Sequence, residues 1–337
     1  MTVETTVEAA EGPRRLRRLT FEPNPVLVKE LRARFRSRRS FLTVSAFVGL
    51  LALAGLLVYA SQVEQATQNF SYSMYSYYSN QSLGEPFASM IMSVELILVM
   101  LIAPALTMNA LSGERDRRTY ELLMATPLSG WAILRGKFLA ALAYILLLVF
   151  AVLPVLSLAF LFGGVSASQV LGSQVIVVAS GVLLLMVGLF WSSWLKSSGR
   201  SAVASYFSVA MVSFGHVFIL YIVFAFFGIF MSMSNSTFDF DRLLTFMFSF
   251  SPVGTWMSGS LFGGNALGSG QLTSLNWWLY SLGPPVIFST ILFLLAGMRI
   301  RPAGRRPKLA VLALLWLLII WTKWAWDATT SGSQGFP

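Results

Sequence analysis

Six apolar blocks dominate the sequence: Phe41 to Ala60, Phe87 to Leu111, Phe138 to Phe162, Gln174 to Leu195, Ala202 to Met231 and Trp277 to Met298. Each is about 20 residues or longer, the length that crosses ~30 Å of hydrocarbon as a helix. A backbone in hydrocarbon must satisfy its own amides, so blocks of this length predict an all-α, polytopic transmembrane helical bundle. The composition agrees: 56% of residues are hydrophobic and only 11% charged, against roughly 25% charged in soluble domains. The first block begins only at Phe41 and is too long, with no small-residue cleavage site, for a removed signal peptide, so it is expected to remain as an anchor. A further block, Leu309 to Trp326, is interrupted by Thr322 and Lys323. Snorkelling of Lys323 and a belt of Trp321, Trp324 and Trp326 favour a seventh span there.

The formal charge of +10 is distributed in a way that predicts orientation. Of 24 Lys and Arg residues, ten precede Phe41 and five lie in the second connector (Arg115, Arg117, Arg118, Arg135, Lys137). Two lie in the fourth (Lys196, Arg200) and five follow the sixth block, leaving Arg242 and Lys323 for the opposite side. Short loops rich in these residues stay in the cytoplasm, so the N-terminus is expected there, in a chain integral to the plasma membrane. Because the cations border apolar blocks instead of covering a water-exposed face, the charge does not point to nucleic acid. With no Cys and one His, thiolate chemistry, disulfides and a histidine metal triad are excluded.

Four regions follow: a tail at 1–22, an amphipathic interfacial helix at 23–40, a six-span body at 41–298, and a C-terminal region at 299–337 holding a basic connector, the seventh span and an external tail. In the second region Asn24 caps a helix whose first residue is Pro25. Leu27, Leu31 and Phe35 line one face, while Lys29, Arg32, Arg36 and Arg39 lie largely off it, a pattern suited to the lipid headgroup layer. On the outer side, the run Phe70, Tyr72, Tyr75, Tyr77 and Tyr78 suits the membrane surface, and Ser232 to Asn276 is expected to hold short re-entrant helices.

The second connector carries the functional signal. After Ile102-Ala-Pro-Ala-Leu106 it reads Ser112-Gly-Glu-Arg115, then Thr119-Tyr-Glu-Leu-Leu123, Thr126-Pro-Leu-Ser129 and Gly136-Lys137. In this order the pieces resemble the type-2 ATP-binding cassette (ABC) transporter permease family. The resemblance is sharpest over Ala103 to Leu139, and it departs at Arg118, where such permeases commonly carry Gly before the Thr. It implies a membrane-spanning permease, with export as the direction. It further implies that 113–137 is a coupling segment engaging a separate cytoplasmic ABC ATPase through Glu114, Arg115, Thr119, Tyr120, Glu121, Leu122, Leu123, Met124, Thr126 and Pro127. Helical spacing puts Tyr120, Leu123 and Met124 on one side as apolar knobs for the partner, with Glu114, Arg115 and Glu121 as ion-pairing rim. Thr126 and Pro127 end this helix and Ser129 caps the next. The chain is then no enzyme by itself: ATP and magnesium belong to the ATPase, this chain needs no cofactor or metal, and a second permease, identical or related, completes the pair. Gly130 to Lys137 superficially suggests a phosphate-binding loop, but five residues separate Gly130 from Gly136 and Phe138 follows Lys137 where Ser or Thr is required.

Two ionisable residues fall inside spans, Glu95 and His216, and each is expected to face the bundle interior. Glu95 has two open roles: a gating or substrate-polar group, or a structural hydrogen bond to Ser or Thr on a neighbouring span. Counted from the cytoplasmic ends, Glu95 lies about 16 residues in and His216 about 14, so at ~1.5 Å per residue they share a similar depth. An intramembrane enzyme using both, or an ion-coupled secondary carrier, are the rival readings. The carrier would call for more intramembrane carboxylates and an internal repeat, neither of which is apparent. Pro104, Pro154, Pro284 and Pro285 predict kinks, and Gly181 and Gly188 predict close helix approach.

Overall fold

The structure is a computed structural model describing residues 24–72, 84–163, 165–231, 251–253 and 274–300, with positions 316, 319, 320 and 323. Its elements are α1 (Pro25–Phe35), α2 (Arg38–Tyr72), α3 (Gly84–Thr107), α4 (Ser112–Asp116), α5 (Tyr120–Ala125), α6 (Gly130–Phe162), α7 (Ala167–Trp194), α8 (Ser198–Met231) and α9 (Ser274–Ile300). The described residues hold five helices long and apolar enough to span: Arg38–Glu64, Pro86–Asp116, Gly130–Phe162, Ala167–Trp194 and Leu282–Ile300. The fifth expected block is the 34-residue α8, whose side chains from 216 on, Ile222 apart, lie outside the described ones. So do the outer connectors, and all of the expected seventh span except Trp316, Ile319, Ile320 and Lys323, which are helical. The protein is thus an all-α integral membrane bundle.

Local chemistry sets the ends of these helices. Asn24 Oδ1 accepts from Val26 N at 3.0 Å with Pro25 at the first position of α1, an arrangement in which proline forfeits no helical hydrogen bond. Ser129 caps α6. Ser166 and Gln169 form a reciprocal capping box at the start of α7, satisfying two otherwise unpaired backbone donors.

The fourth span is the axis of the bundle. In α7, 72% of the apolar stretch is buried, against 22% in α2; it packs against α3, α6, α8 and α9. The main core joins Phe47 and Leu51 of α2, Ile91, Val99 and Ala103 of α3, Ile145 and Leu148 of α6, and Leu184 of α7. Close approach of α3 and α7 depends on Gly188. A Cβ there would fall on Thr107 Oγ1 and lie 3.0 Å from the Pro104 carbonyl oxygen, while Thr107 Oγ1 donates to the Leu185 carbonyl at 2.9 Å. Gly181 is tight as well, against Ile145 and Val99. Both glycines meet the expectation of close helix approach.

Gly188→Ala is expected to lower the thermal midpoint of the detergent-purified protein, because forcing a methyl into this contact costs about 1–3 kcal/mol. Gly49→Ala, where a Cβ meets nothing within 4 Å, is the control and leaves the midpoint unchanged.

Candidate functional site

The second connector, with α4 and α5, is fastened to the rest of the protein at four places. First, Leu111 N and Ser112 N both donate to Ser192 Oγ of α7, at 2.8 and 3.1 Å. Second, Arg115 reaches the C-terminal end of α7. Its Nη1 donates to the Leu195 carbonyl at 2.9 Å and its Nη2 to that of Ser193 at 3.0 Å. Terminal carbonyls of a helix lack intrahelical partners and carry the negative end of its dipole, so a guanidinium is well matched there. Third, Asp116 Oδ2 accepts from Ser198 N at 3.0 Å, at the first residue of α8. Hydrogen bonds from Ser198 hold its carboxyl below the usual range. One dipeptide therefore binds the end of one span and the start of the next, with opposite charges on opposite dipole ends.

The fourth fastening is a buried ion cluster. Lys137, in the second turn of α6, is only 4% exposed. Its Nζ sits 2.9 Å from Glu30 Oε1 of α1 and 3.4 Å from Glu114 Oε1 of α4. Partial burial pushes the Glu114 carboxyl up, but the Thr119 hydroxyl, which donates to Oε2, and the Lys137 ammonium together hold it below its usual value. Beside it, Arg34 Nη2 donates to the Leu106 carbonyl at 2.8 Å, at the C-terminal end of α3, and lies 4.0 Å from Glu30. Burial lowers the Arg34 pKa while Glu30 opposes the shift. Asn24 Nδ2 donates to the Ala132 carbonyl, and Val26 packs against Gly136 where a Cβ would be 3.0 Å away. The helix α1 is thus bolted to the start of α6. The stretch Gly130 to Lys137 is the opening of α6, with its lysine already held by two carboxylates.

Within α5 the structure changes one sequence expectation. Tyr120 and Met124, expected as knobs for a partner, turn inward and pack on a second apolar cluster of Leu111, Leu134, Met186, Leu189, Ala296 and Ile300. Arg115 lies over the Tyr120 ring, 4.8 Å from its centroid. Leu123 is half-buried, and the outward apolar residue is Leu122, 72% exposed, flanked by exposed Glu121 and Ala125. A helical wheel groups residues by face but does not say which face the bundle claims. Thr126 is extended and ends α5 ahead of Pro127.

Between α4 and α5, Arg118 has a φ of +57°. This left-handed conformation costs a residue with a Cβ about 1–2 kcal/mol, which explains why glycine suits this position in the sequences the chain resembles.

Glu95 is fully buried on α3, as its sequence position requires. Its partner is not a Ser or Thr: Gln174 of α7 donates from Nε2 to Glu95 Oε2 at 2.8 Å. The side chain of His216, on α8, lies outside the described ones, so the expected meeting with Glu95 does too. Sequence reasoning missed Glu30, Asp116 and Gln174 as participants. For Glu30 a signal existed, since it is the lone acid among the cations of 24–40.

Long apolar helices thus pack around two short, charged helices, α4 and α5, that lie in the connector between the second and third spans. The sequence profile of the ABC-2 family transporter proteins matches residues 25–322, and the chain belongs to that family. It is accordingly the membrane permease component of an ABC transporter. No curated protein sequence matches it.

Removing the buried ammonium leaves two carboxylates facing each other without a counter-charge. Lys137→Met is expected to destabilise by about 3–5 kcal/mol, as for other broken buried pairs. Glu30→Gln, which leaves the Glu114 contact, costs less; denaturant or thermal unfolding of both variants gives the comparison. Separately, Arg118→Gly is expected to raise stability by up to ~1 kcal/mol and Arg118→Val to lower it, measured the same way.

Proposed function

We propose that this permease is an exporter, driven by a separate cytoplasmic ABC ATPase that docks on α4 and α5. The observation that carries this reading is the contrast between the two sides of that segment. Inward, it is fixed to α1, α6, α7 and the start of α8 by the contacts above. Outward, Asp116, Arg117, Arg118, Glu121 and Leu122 are exposed. A motor pushing on this rim meets a rigid lever, because the lever's contacts are charge-assisted hydrogen bonds and a buried cluster, not flexible loop.

In this reading the basic end of the bundle, with α1, faces the cytoplasm of a cell bounded by this plasma membrane. The motor supplies ATP and magnesium, and the permease works as a pair with an identical or related copy. Leu122 seats in an apolar recess of the ATPase, and Glu121 with Arg117 and Arg118 forms the polar surround. Glu114 and Arg115 act differently from a docking rim: they hold the lever to the spans. ATP binding would close the ATPase pair, shift α4 and α5, and through Arg115 and Asp116 move the hairpin of α7 and α8. Cargo of an apolar or amphipathic kind, such as a lipid, lipid-linked glycan, peptide or hydrophobic drug, suits a path walled by such spans.

Leu122→Asp tests the dock without touching the inward contacts. Burying a leucine at an interface is worth about 2 kcal/mol, so the variant is expected to fold normally yet lose roughly thirtyfold in affinity for its ATPase partner. Copurification and nucleotide hydrolysis of the reconstituted assembly are the measurements. Wild-type copurification and hydrolysis by Leu122→Asp would remove Leu122 from the dock.

A further inference from the structure

The outward face of α1 holds an open groove of about 880 Å³ lined by Pro25, Val28, Lys29, Arg32, Ala33, Arg36 and Ser37. We propose that this groove seats the phosphate headgroup of an anionic phospholipid, and that its occupancy fixes the position of α4 through Glu30 and Lys137. The second part rests on the coupling role proposed above; the first does not.

Three observations converge on the groove. Lys29, Arg32 and Arg36 are spaced three and four residues apart, which stacks them along one helix face, and all three are exposed. Among the described residues none of the three forms an ion pair; the cluster's bridges use Arg34 and Lys137 instead. Three cations with no ion pair among the described residues, around one concavity walled by Pro25, Val28 and Ala33 and ending at Ser37, fit a phosphodiester far better than a neutral or zwitterionic group. The volume lies within the ~300–1,000 Å³ of ordinary small-ligand sites.

The neighbouring structure favours lipid over protein as the occupant. The groove ends at Ser37, and α2 begins one residue later with Phe41 and Leu42 both exposed and apolar. Acyl chains continuing from a headgroup in the groove therefore find an apolar wall on the first span. A soluble partner would meet the membrane at that same point.

The groove is also mechanically placed. Glu30 follows Lys29 directly, and its carboxylate holds Lys137, which in turn holds Glu114 of α4. Lys29 itself acts electrostatically on the Glu114 carboxyl. A phosphate neutralising Lys29, Arg32 and Arg36 fixes α1 against the membrane surface, and with it the anchor from which Glu30 grips the lysine. In a bilayer without anionic lipid, α1 keeps its contacts with α6 but loses its purchase on the headgroup layer.

The test titrates the detergent-purified full chain with phosphatidylglycerol, and in parallel with phosphatidylcholine and with inorganic phosphate, reading retained lipid by native mass spectrometry. Wild type is expected to retain phosphatidylglycerol selectively. The variant carrying Lys29→Gln, Arg32→Gln and Arg36→Gln is expected to bind it at least tenfold more weakly, given about 1 kcal/mol per cation at an anionic surface. A matched variant with Arg135→Gln, Lys196→Gln and Arg200→Gln removes equal charge from exposed positions outside the groove and is expected to bind as wild type. Equal losses in both triple variants would show diffuse attraction and overturn the site, as would inorganic phosphate displacing the lipid at similar concentration. A groove variant that keeps phosphatidylglycerol but no longer copurifies an ATPase would mark the face as a protein dock and likewise overturn it. For the mechanical part, phosphatidylglycerol is expected to raise the thermal midpoint of wild type but not of Glu30→Gln, which still binds the lipid. Equal protection of Glu30→Gln would sever the groove from α4. None of these readouts needs the ATPase to be active, so their failure is distinct from failure of the transporter reading.

Discussion

One buried ammonium ties three helices together at the basic end of this permease. Lys137 donates to a carboxylate from each of two separate segments, adding to the contacts that hold α1 through Asn24 and Arg34 and α4 through Ser192 and Arg115. The helix α4 is five residues long and α5 six, far below the length at which a helix is stable alone. Their existence depends on tertiary contacts, and Lys137 with Arg115 provides those with the greatest geometric demand. A buried ion pair is weak evidence of added stability, because desolvation offsets most of the Coulombic gain. It is stronger evidence of a required position. Apolar packing tolerates sliding by a fraction of a residue, whereas a lysine between two carboxylates fixes where α1, α4 and α6 meet.

The same logic distinguishes the two sides of α4 and α5. Arg115 and Asp116 are adjacent in sequence, yet they attach to the ends of different spans with the charges each dipole favours. A displacement of α4 therefore acts on α7 and α8 together. Because α7 is the most enclosed of the five apolar spans found among the described residues, and because Gly188 and Thr107 press it against α3 without slack, motion at its end cannot be absorbed locally. Close packing transmits strain. The short connector thus has the arrangement that a force-receiving element needs: rigid attachment to the central helix on one side and an exposed rim on the other.

Much of this was legible in the sequence. The spans follow from apolar block length, and the caps at Asn24 and Ser129 follow from side-chain chemistry beside the helix start. The glycine contact at 188 and the helix end at Thr126 and Pro127 were also readable. Arg118 shows how a departure from a family pattern becomes physical: a position that favours glycine proves to be left-handed. What was not legible is long-range. Tyr120, Leu123 and Met124 share a face, but the choice between bundle and solvent depends on Met186, Ala296 and Ile300, which lie far along the chain. Likewise Glu95 announces its need for a partner without naming Gln174, because an amide near the start of an apolar block carries no period or spacing that links it to a carboxylate on another span.

Charge alone would have misled about Lys137 in a different way. Counted with its neighbours it is one of five cations in a basic connector. Its burial separates it from the other four. Arg117, Arg118 and Arg135 are exposed, while Arg115 and Lys137 are turned into the protein. The connector's basic character therefore divides in two, three cations at the surface and a pair turned inward, Arg115 on the end of α7 and Lys137 between Glu30 and Glu114. Glu30 completes the division in α1: one face of that helix carries the acid that binds inward, and the other carries Lys29, Arg32 and Arg36. The two faces of that helix are therefore charged differently, the acid turned to the bundle and the three cations to the outside.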